Sequence, residues 1–323
     1  MTRMSDAALS RKAATGRPPA AGLFRRTLDS DVFYSFRRSR LTVVAAAVTL
    51  LFFLLAIAAP LLAVQDPFDP AQLQLINSRI APLWTADGQS PFLLGTDEQG
   101  RDVLSAILYG LRISLIVGIL GVVFSGALGI TLGLIAGYFG GAIDALIMRI
   151  ADVQLTFPAI LIALLVNGVA KSLFGNRLGA TSTLAVLVLA IGFSFWVQYA
   201  RTVRGSVMVE KNKDYVAAAQ LIGLPAPVIM LRHVLPNTMG PILVIATINL
   251  ALAIITEATL SFLGAGMPDT MPSLGTLIRI GNNYLFAGEW WIVAFPGIAL
   301  AVLILSINLL GDWLRDALNP KLR

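Results

Sequence analysis

Long apolar runs separated by short charged segments organise this chain. Six windows contain no Asp, Glu, Lys or Arg: Leu41–Val64, Ile113–Ile143, Val153–Ala170, Leu178–Ala200, His233–Thr256 and Trp290–Gly311. About 20 apolar residues cross a hydrocarbon core of roughly 30 Å. In lipid the backbone must satisfy its own hydrogen bonds, so windows of this length are predicted to be helices. The expectation is an all-α membrane protein of six transmembrane helices. The second and third should meet at a tight turn near Tyr138–Asp144. Pro158 and Pro296 fall inside predicted spans and are expected to kink them.

The segments between the windows divide the chain further. Residues 1–40 are rich in Arg, Ser, Ala and Pro and read as a partly disordered tail. Phe33, Tyr34 and Phe36, beside an Arg cluster, suit the headgroup interface. Residues 41–64 form the first span, and 65–109 form a loop on the opposite side of the membrane. After Asp102 that loop is predicted to carry a surface helix, with Val103, Leu104, Ile107, Leu108 and Leu111 on one face. Residues 110–311 form a core of five further spans interrupted by a polar loop over 205–238, and 312–323 form a second tail. In the second span Gly121, Ser125, Gly129, Gly133 and Gly137 recur at every fourth position. That spacing aligns them on one stripe, where a neighbouring helix can approach closely.

Charge sets the orientation. The chain is 57% hydrophobic and 13% charged, against about 25% charged for a soluble globule. If the N-terminus is inside, the inside segments hold the nine basic residues before Leu41, then Arg149, Arg201, Arg204, Lys211, Lys213, Arg232, Arg315, Lys321 and Arg323. The outside segments hold only Arg79, Arg101, Arg112, Lys171, Arg177 and Arg279. The positive-inside rule places both termini in the cytoplasm. The net charge of +6 is then a topology signal and not a nucleic-acid footprint. The first apolar run is longer than a signal-peptide core of about 7–15 residues, so it is expected to remain as an anchor.

Candidate chemistry is sparse. There is no Cys and a single His, His233, which argues against disulfides and against Cys or His metal sites. No cofactor is expected. A phosphate-binding loop is absent; "VNGVAKS" at Val166–Ser172 lacks the required glycines. Any use of ATP would therefore need another chain. Glu257 is the one acid deep in a span. With Ser261 it lines a translocation pathway or gate, or it locks the fifth span to a neighbour. Arg149 and Asp152 are spaced for a local ion pair, and Asn167 and Asn249 for interhelical hydrogen bonds. A secondary transporter remains an alternative, but it should show interrupted paired spans and more intramembrane ion ligands. An intramembrane enzyme would need a nucleophile or metal cluster.

The stretch "DYVAAAQLIGLPAPVIMLRHVLPN", Asp214 to Asn237, is polar enough for water and lies between the fourth and fifth spans. It predicts two short helices. Asn212 should cap the first, and Asp214 suits the positive end of its dipole. Tyr215, Ala218, Ala219 and Ile222 should share a face. Gly223 should end the first helix, Pro225 or Pro227 should begin the second, and Pro236 should end or bend it. Ala218 and Ala219 would leave a shallow face for close docking.

This stretch resembles the "EAA" cytoplasmic loop of bacterial ABC importer permeases. Ala218, Ala219, Gly223, Leu235 and Pro236 match that pattern in register. Ala217 stands where the family has Glu, and His233 where it has an apolar residue. "LGTDEQGRD", "YGLRISLIVG", "AGYFGGAIDALIMRIADV", "TEATLSFLGAG" and "NLLGDWLRDALNP" resemble the dipeptide/oligopeptide (nickel) branch, and within it the C-type subunit. The resemblance implies the type I permease fold in a bacterial inner membrane. It implies a homologous B-type permease partner, two ATP-binding subunits and an external solute-binding protein. The loop would be the ATPase-coupling element. The cargo implied is a di- or oligopeptide or a peptide-like solute, with nickel chelates or glutathione as alternatives.

Overall fold

The computed structural model describes residues 36–174 and 179–318. The expected tail before Phe36, including Phe33 and Tyr34, lies outside the described residues, as do Arg177, Lys321 and Arg323. Among the described residues the secondary structure is helical, apart from two isolated bridges, Ala81 with Gly88 and Thr96 with Asp102.

Ten α-helices are introduced here in chain order. The first, α1 (Arg40–Leu62), starts where Ser39 accepts a hydrogen bond from the Thr42 amide at 3.3 Å. Then come α2 (Val103–Phe139), α3 (Gly141–Leu155), α4 (Ala159–Phe174), α5 (Ala180–Glu210), α6 (Asp214–Leu221), α7 (Ala226–Ile229), α8 (Met239–Phe262), α9 (Leu274–Asn282) and α10 (Trp291–Ala317). Five stretches are long and apolar enough to cross a bilayer: α1, α2, α5, Ala226–Phe262 and α10. The bent pair α3 and α4 makes up a sixth.

Two features depart from the linear pattern. The surface helix expected after Asp102 is the outer end of α2, which runs unbroken for 37 residues. No breaker interrupts it, and Val103, Ile107 and Leu111 are buried against α1, α9 and α10 instead of lying on lipid. At about 55 Å this helix exceeds the hydrocarbon thickness and carries the fold beyond the membrane. The second departure is at Pro158. The chain there does more than kink: α3 and α4 meet at 93° across Thr156–Pro158. Proline disfavours helical geometry in the residue before it and lacks the N–H that would continue the ladder. Pro296, by contrast, lies inside continuous α10.

α2 and α3 are separated by Gly140 alone, and Gly140 and Gly141 have φ of +68° and +56°. This is the tight turn expected near Tyr138–Asp144. On the other side of the membrane, loop 65–102 is held by buried polar groups. Asp102 caps α2 by accepting from the Ser105 amide at 2.7 Å, and the Ser105 hydroxyl accepts from Val64 N–H at 3.0 Å, closing the loop. Burial pushes the Asp102 carboxyl above its ordinary pKa range, against the Ser105 bonds that lower it. Arg101, 1% exposed, pairs with Asp97 at 2.6 Å and donates to the Asp269 carbonyl at 2.8 Å. The loop is thereby tied to the segment between α8 and α9.

The centre of the bundle is α2 against α5, and the glycine stripe makes that contact. A Cβ on Gly129 would sit 2.3 Å from the Trp196 carbonyl oxygen. On Gly133 it would meet the Ala200 oxygen at 2.6 Å, and on Gly137 the Val207 Cβ at 2.8 Å. α1 lies on the flank, packed on α2 and α10, with Ile57 and Leu61 turned outward.

Candidate functional site

The polar loop between α5 and α8 is built upward from three spans. α5 ends at Glu210, and α6 begins four residues later at Asp214. Asn212 does not cap α6. Its amide donates back to the Met208 carbonyl at 2.9 Å, and Lys213 occupies the N-cap position without a side-chain bond. Asp214 lies in the first turn, where its charge complements the helix dipole.

Gly223 ends α6 with φ +82°. Its N–H reaches the Gln220 carbonyl at 2.9 Å, and the Leu224 N–H reaches Ala219 O at 3.1 Å. Together these form a Schellman motif, which needs the left-handed conformation glycine adopts freely. α7 follows Pro225. The second short helix does not end before the membrane. A π-turn over Met230–Val234 and a 3-10 turn over Leu235–Thr238 carry it into α8. Leu235 N–H reaches back five residues to Met230 O. The wider turn sits just before Pro236, which cannot donate and would crowd a regular helix.

The face presented by α6 differs from the expected one. Ala219 is 4% exposed and packs with Val216 against Leu134, Val207 and Ile229. It belongs to the core of the loop and not to a docking face. Ala217 and Ala218 are exposed, and Tyr215 is half-buried. The outward tip is Leu221 and Ile222, 90% and 78% exposed. Leu221 was not among the sequence candidates. Its one signal was an apolar pair placed directly before the helix-ending glycine.

A polar network fixes this tip to the spans. The Tyr215 hydroxyl donates to Glu210 Oε1 at 2.5 Å, and Glu210 Oε2 also pairs with Lys213 at 2.8 Å. Asn237 Nδ2 donates to the His233 carbonyl at 2.7 Å and to Tyr215 Oη at 3.2 Å. Burial, together with the Glu210 carboxylate, raises the Tyr215 pKa above its ordinary value. Lys211 donates to the Gly137 carbonyl at 2.8 Å and so neutralises the C-terminal end of α2. Arg204 grips Asp144 of α3 through two nitrogens. His233 is half-buried, Leu235 packs on the same apolar cluster, and Pro236 is exposed. A displacement of α6 would be felt at the ends of α2, α5 and α8 together.

Glu257 is far from this loop, near the other end of α8. It is fully buried. Ser114 of α2 donates to its Oε2 at 2.8 Å, and Ser261 donates to Oε1 at 2.7 Å. The same hydroxyls accept main-chain N–H groups, Leu274 on Ser114 at 3.3 Å and Met267 on Ser261 at 3.2 Å. One carboxyl group thus organises α2, α8, the α8–α9 segment and the start of α9. Replacing Glu257 with Leu takes away the acceptor of both hydroxyl protons, and each unsatisfied buried donor costs about 1–3 kcal/mol. The expected result is a clear drop in the melting temperature of the detergent-purified protein, with Glu257→Gln intermediate. An unchanged melting temperature with lost transport would assign Glu257 to a pathway instead.

The other polar candidates sort differently. Asp152 pairs with Arg201 of α5, not with Arg149 of its own helix. Asn167 donates to the Ala265 carbonyl, so it ties α4 to the segment after α8 and not to a second helix. Asn249 is buried in α8, where its amide faces the Tyr199 hydroxyl of α5. Among the described residues no cluster of His, Asp or Glu could hold a metal ion.

The family described as "Binding-protein-dependent transport system inner membrane component" matches residues 129–323. A second family, "N-terminal TM domain of oligopeptide transport permease C", matches residues 27–82. The chain is 37% identical to the dipeptide transport system permease protein DppC of Haemophilus influenzae, over 91% of this chain and 95% of that protein. It is 40% identical to DppC of Escherichia coli K12, over 91% and 93%. It is also 40% identical to the di/tripeptide permease DppC of Pseudomonas aeruginosa, over 85% and 87%. The solved inward-facing MetNI methionine ABC transporter, in its CY5 native crystal form, aligns with a TM-score of 0.49 and 19% identity, over 67% of this chain and 96% of that one.

Proposed function

The chain belongs to the family of binding-protein-dependent transport system inner membrane components, and from that premise we propose that it forms half of the membrane pathway of an ATP-driven peptide importer. The observation that carries the proposal is the α6 tip. An apolar pair, Leu221 and Ile222, stands in solvent on a helix tied to three spans, in a chain that has no phosphate-binding loop. Such a tip is a handle for a separate ATPase subunit. Nucleotide-driven movement of that subunit would reach the spans through the Glu210–Tyr215–Asn237 network.

The remaining assembly follows the same reading. A homologous B-type permease supplies the other half of the pathway, two ATP-binding subunits dock inside, and an external solute-binding protein delivers the cargo. The full-length likeness to permeases named for di- and tripeptides supports a short peptide as that cargo. The basic residues support cytoplasmic termini and a cytoplasmic α6. Ala217 leaves docking to apolar contact, since the family's Glu is missing at that position.

Reconstitution tests the proposal. Proteoliposomes holding this chain with its co-purifying subunits and binding protein are expected to accumulate labelled di- or tripeptide only when ATP is supplied. The chain alone is expected neither to hydrolyse ATP nor to accumulate peptide. ATP-independent uptake by the isolated chain would replace the importer with a secondary transporter.

A further inference from the structure

We propose that the wedge between α3 and α4 is a site for one anionic phospholipid, with its phosphate on Arg149 and an acyl chain in the groove beside it. The 93° bend leaves a groove of about 410 Å³ against α5. Leu146, Ile150 and Val153 form one stripe of α3 along it, and Phe157 and Phe193 close the deeper end. These side chains are 42% to 64% exposed, so much of their apolar surface has no cover among the described residues.

Two polar side chains border the groove, and they differ. Gln154 has both ends of its amide engaged, donating to the Phe193 carbonyl and accepting from Trp196 Nε1 at 2.6 Å. Arg149 is exposed and has no ion pair among the described residues, because Asp152 is held by Arg201. An occupant must therefore be apolar along its length and anionic at one end. A peptide strand would leave its N–H and C=O groups unpaired against these walls, at a cost an acyl chain does not incur.

Depth agrees with this choice. The Asp144–Arg204 and Asp152–Arg201 pairs mark the polar end of α5. Phe193 lies eight residues deeper than Arg201 on α5, about 12 Å along the helix. The groove thus runs from the charged row into the hydrocarbon, as an inner-leaflet lipid would. The inner placement rests on the orientation proposed above.

The test uses the full chain, purified in detergent with the subunits that remain attached. It is titrated with phosphatidylglycerol and with phosphatidylcholine of the same acyl chains, and bound lipid is counted by native mass spectrometry. The wild type should bind one phosphatidylglycerol in preference to phosphatidylcholine. Arg149→Gln should weaken phosphatidylglycerol by about fivefold, the worth of one basic residue at an anionic surface, and leave phosphatidylcholine unchanged. Arg149→Lys should keep the preference, and Val153→Trp, which fills the groove, should weaken both lipids. Equal phosphatidylglycerol affinity in wild type and Arg149→Gln overturns the proposal. So does loss of the site when a second permease is attached, since the groove would then be a subunit interface. Neither result touches the importer reading, because the assay involves no transport. Orientation is checked separately. Ile76→Cys, at a position 89% exposed, should react with an impermeant maleimide from outside.

Discussion

Replacing Leu221 and Ile222 together with Asp is expected to abolish capture of the ATPase subunit while the chain itself stays folded and inserted. Both side chains are exposed in the free chain, 90% and 78%, so the chain loses no internal packing. In a docked complex each would bury its apolar surface, worth about 1.5–3 kcal/mol apiece. The pair therefore accounts for roughly a 100-fold loss of affinity or more, and a carboxylate buried in their place would add to it. Two contrasts make the test specific. Ala218→Trp adds bulk to the exposed face and should weaken docking with little effect on the free chain. Ala219→Trp adds it to the core beneath, so it should lower the melting temperature of the free chain. Gly223→Val meets no neighbouring atom within 4 Å, yet it must adopt φ +82°. That strain costs about 1–2 kcal/mol and should loosen the tip without blocking it. Co-purification of the ATPase and melting of the free chain measure the two effects. Undiminished capture by the Leu221/Ile222 double variant would show that α6 is not the handle.

The reversal at Ala219 shows where linear reading stopped. α6 has eight residues, little more than two turns, and so short a pattern fits more than one buried face. Tyr215, Ala218, Ala219 and Ile222 make one consistent stripe, and Val216 with Ala219 makes another. The choice depends on Leu134 of α2, Val207 of α5 and Ile229 of α7, which arrive from 85 residues before to 10 residues after Ala219. Position in the sequence carries no such information.

Longer signals were legible because their cause is local. A run of some 20 residues without charge has one solution in lipid, whatever surrounds it. The Gly223 stop and the Gly140–Gly141 turn were readable for the same reason, since a backbone demand is written in one residue. Tertiary partners were not. An i,i+3 spacing suggested Arg149 for Asp152, yet the carboxylate is held by Arg201, 49 residues away. Glu257 stood out as a deep acid, but Ser114, 143 residues distant, gave no sign of being its partner. The 93° bend lies between. Pro158 marked the place, and the packing of α4 on α5 set the angle.

The glycine stripe combines both kinds of signal, and it supports the second large expected effect. Gly129→Val should prevent α2 and α5 from closing and leave little correctly folded protein in the membrane. The new Cβ would lie 2.3 Å from the Trp196 carbonyl oxygen, 2.6 Å from the Tyr199 Cβ and 3.1 Å from the Ala200 amide nitrogen. Two of these are backbone atoms of α5, which cannot swing aside as the end of a side chain can. Overpacking a tight core costs about 1–3 kcal/mol, occasionally more, and a clash with main chain belongs at the upper end. In a membrane such close backbone approach supplies much of the attraction between helices, since lipid offers them no hydrophobic drive to associate. Gly126, three residues away on the same helix, is the control. A methyl there would touch the Tyr199 ring at 3.8 Å, an ordinary contact. Gly126→Ala should therefore be neutral, or stabilising by up to about 1 kcal/mol through reduced backbone entropy. Gly129→Ala should already be harmful, and Gly129→Val more so. Yield and melting temperature of the detergent-purified variants give the order. Equal stability of Gly126→Ala and Gly129→Ala would mean that α2 and α5 are not held by backbone approach along this stripe.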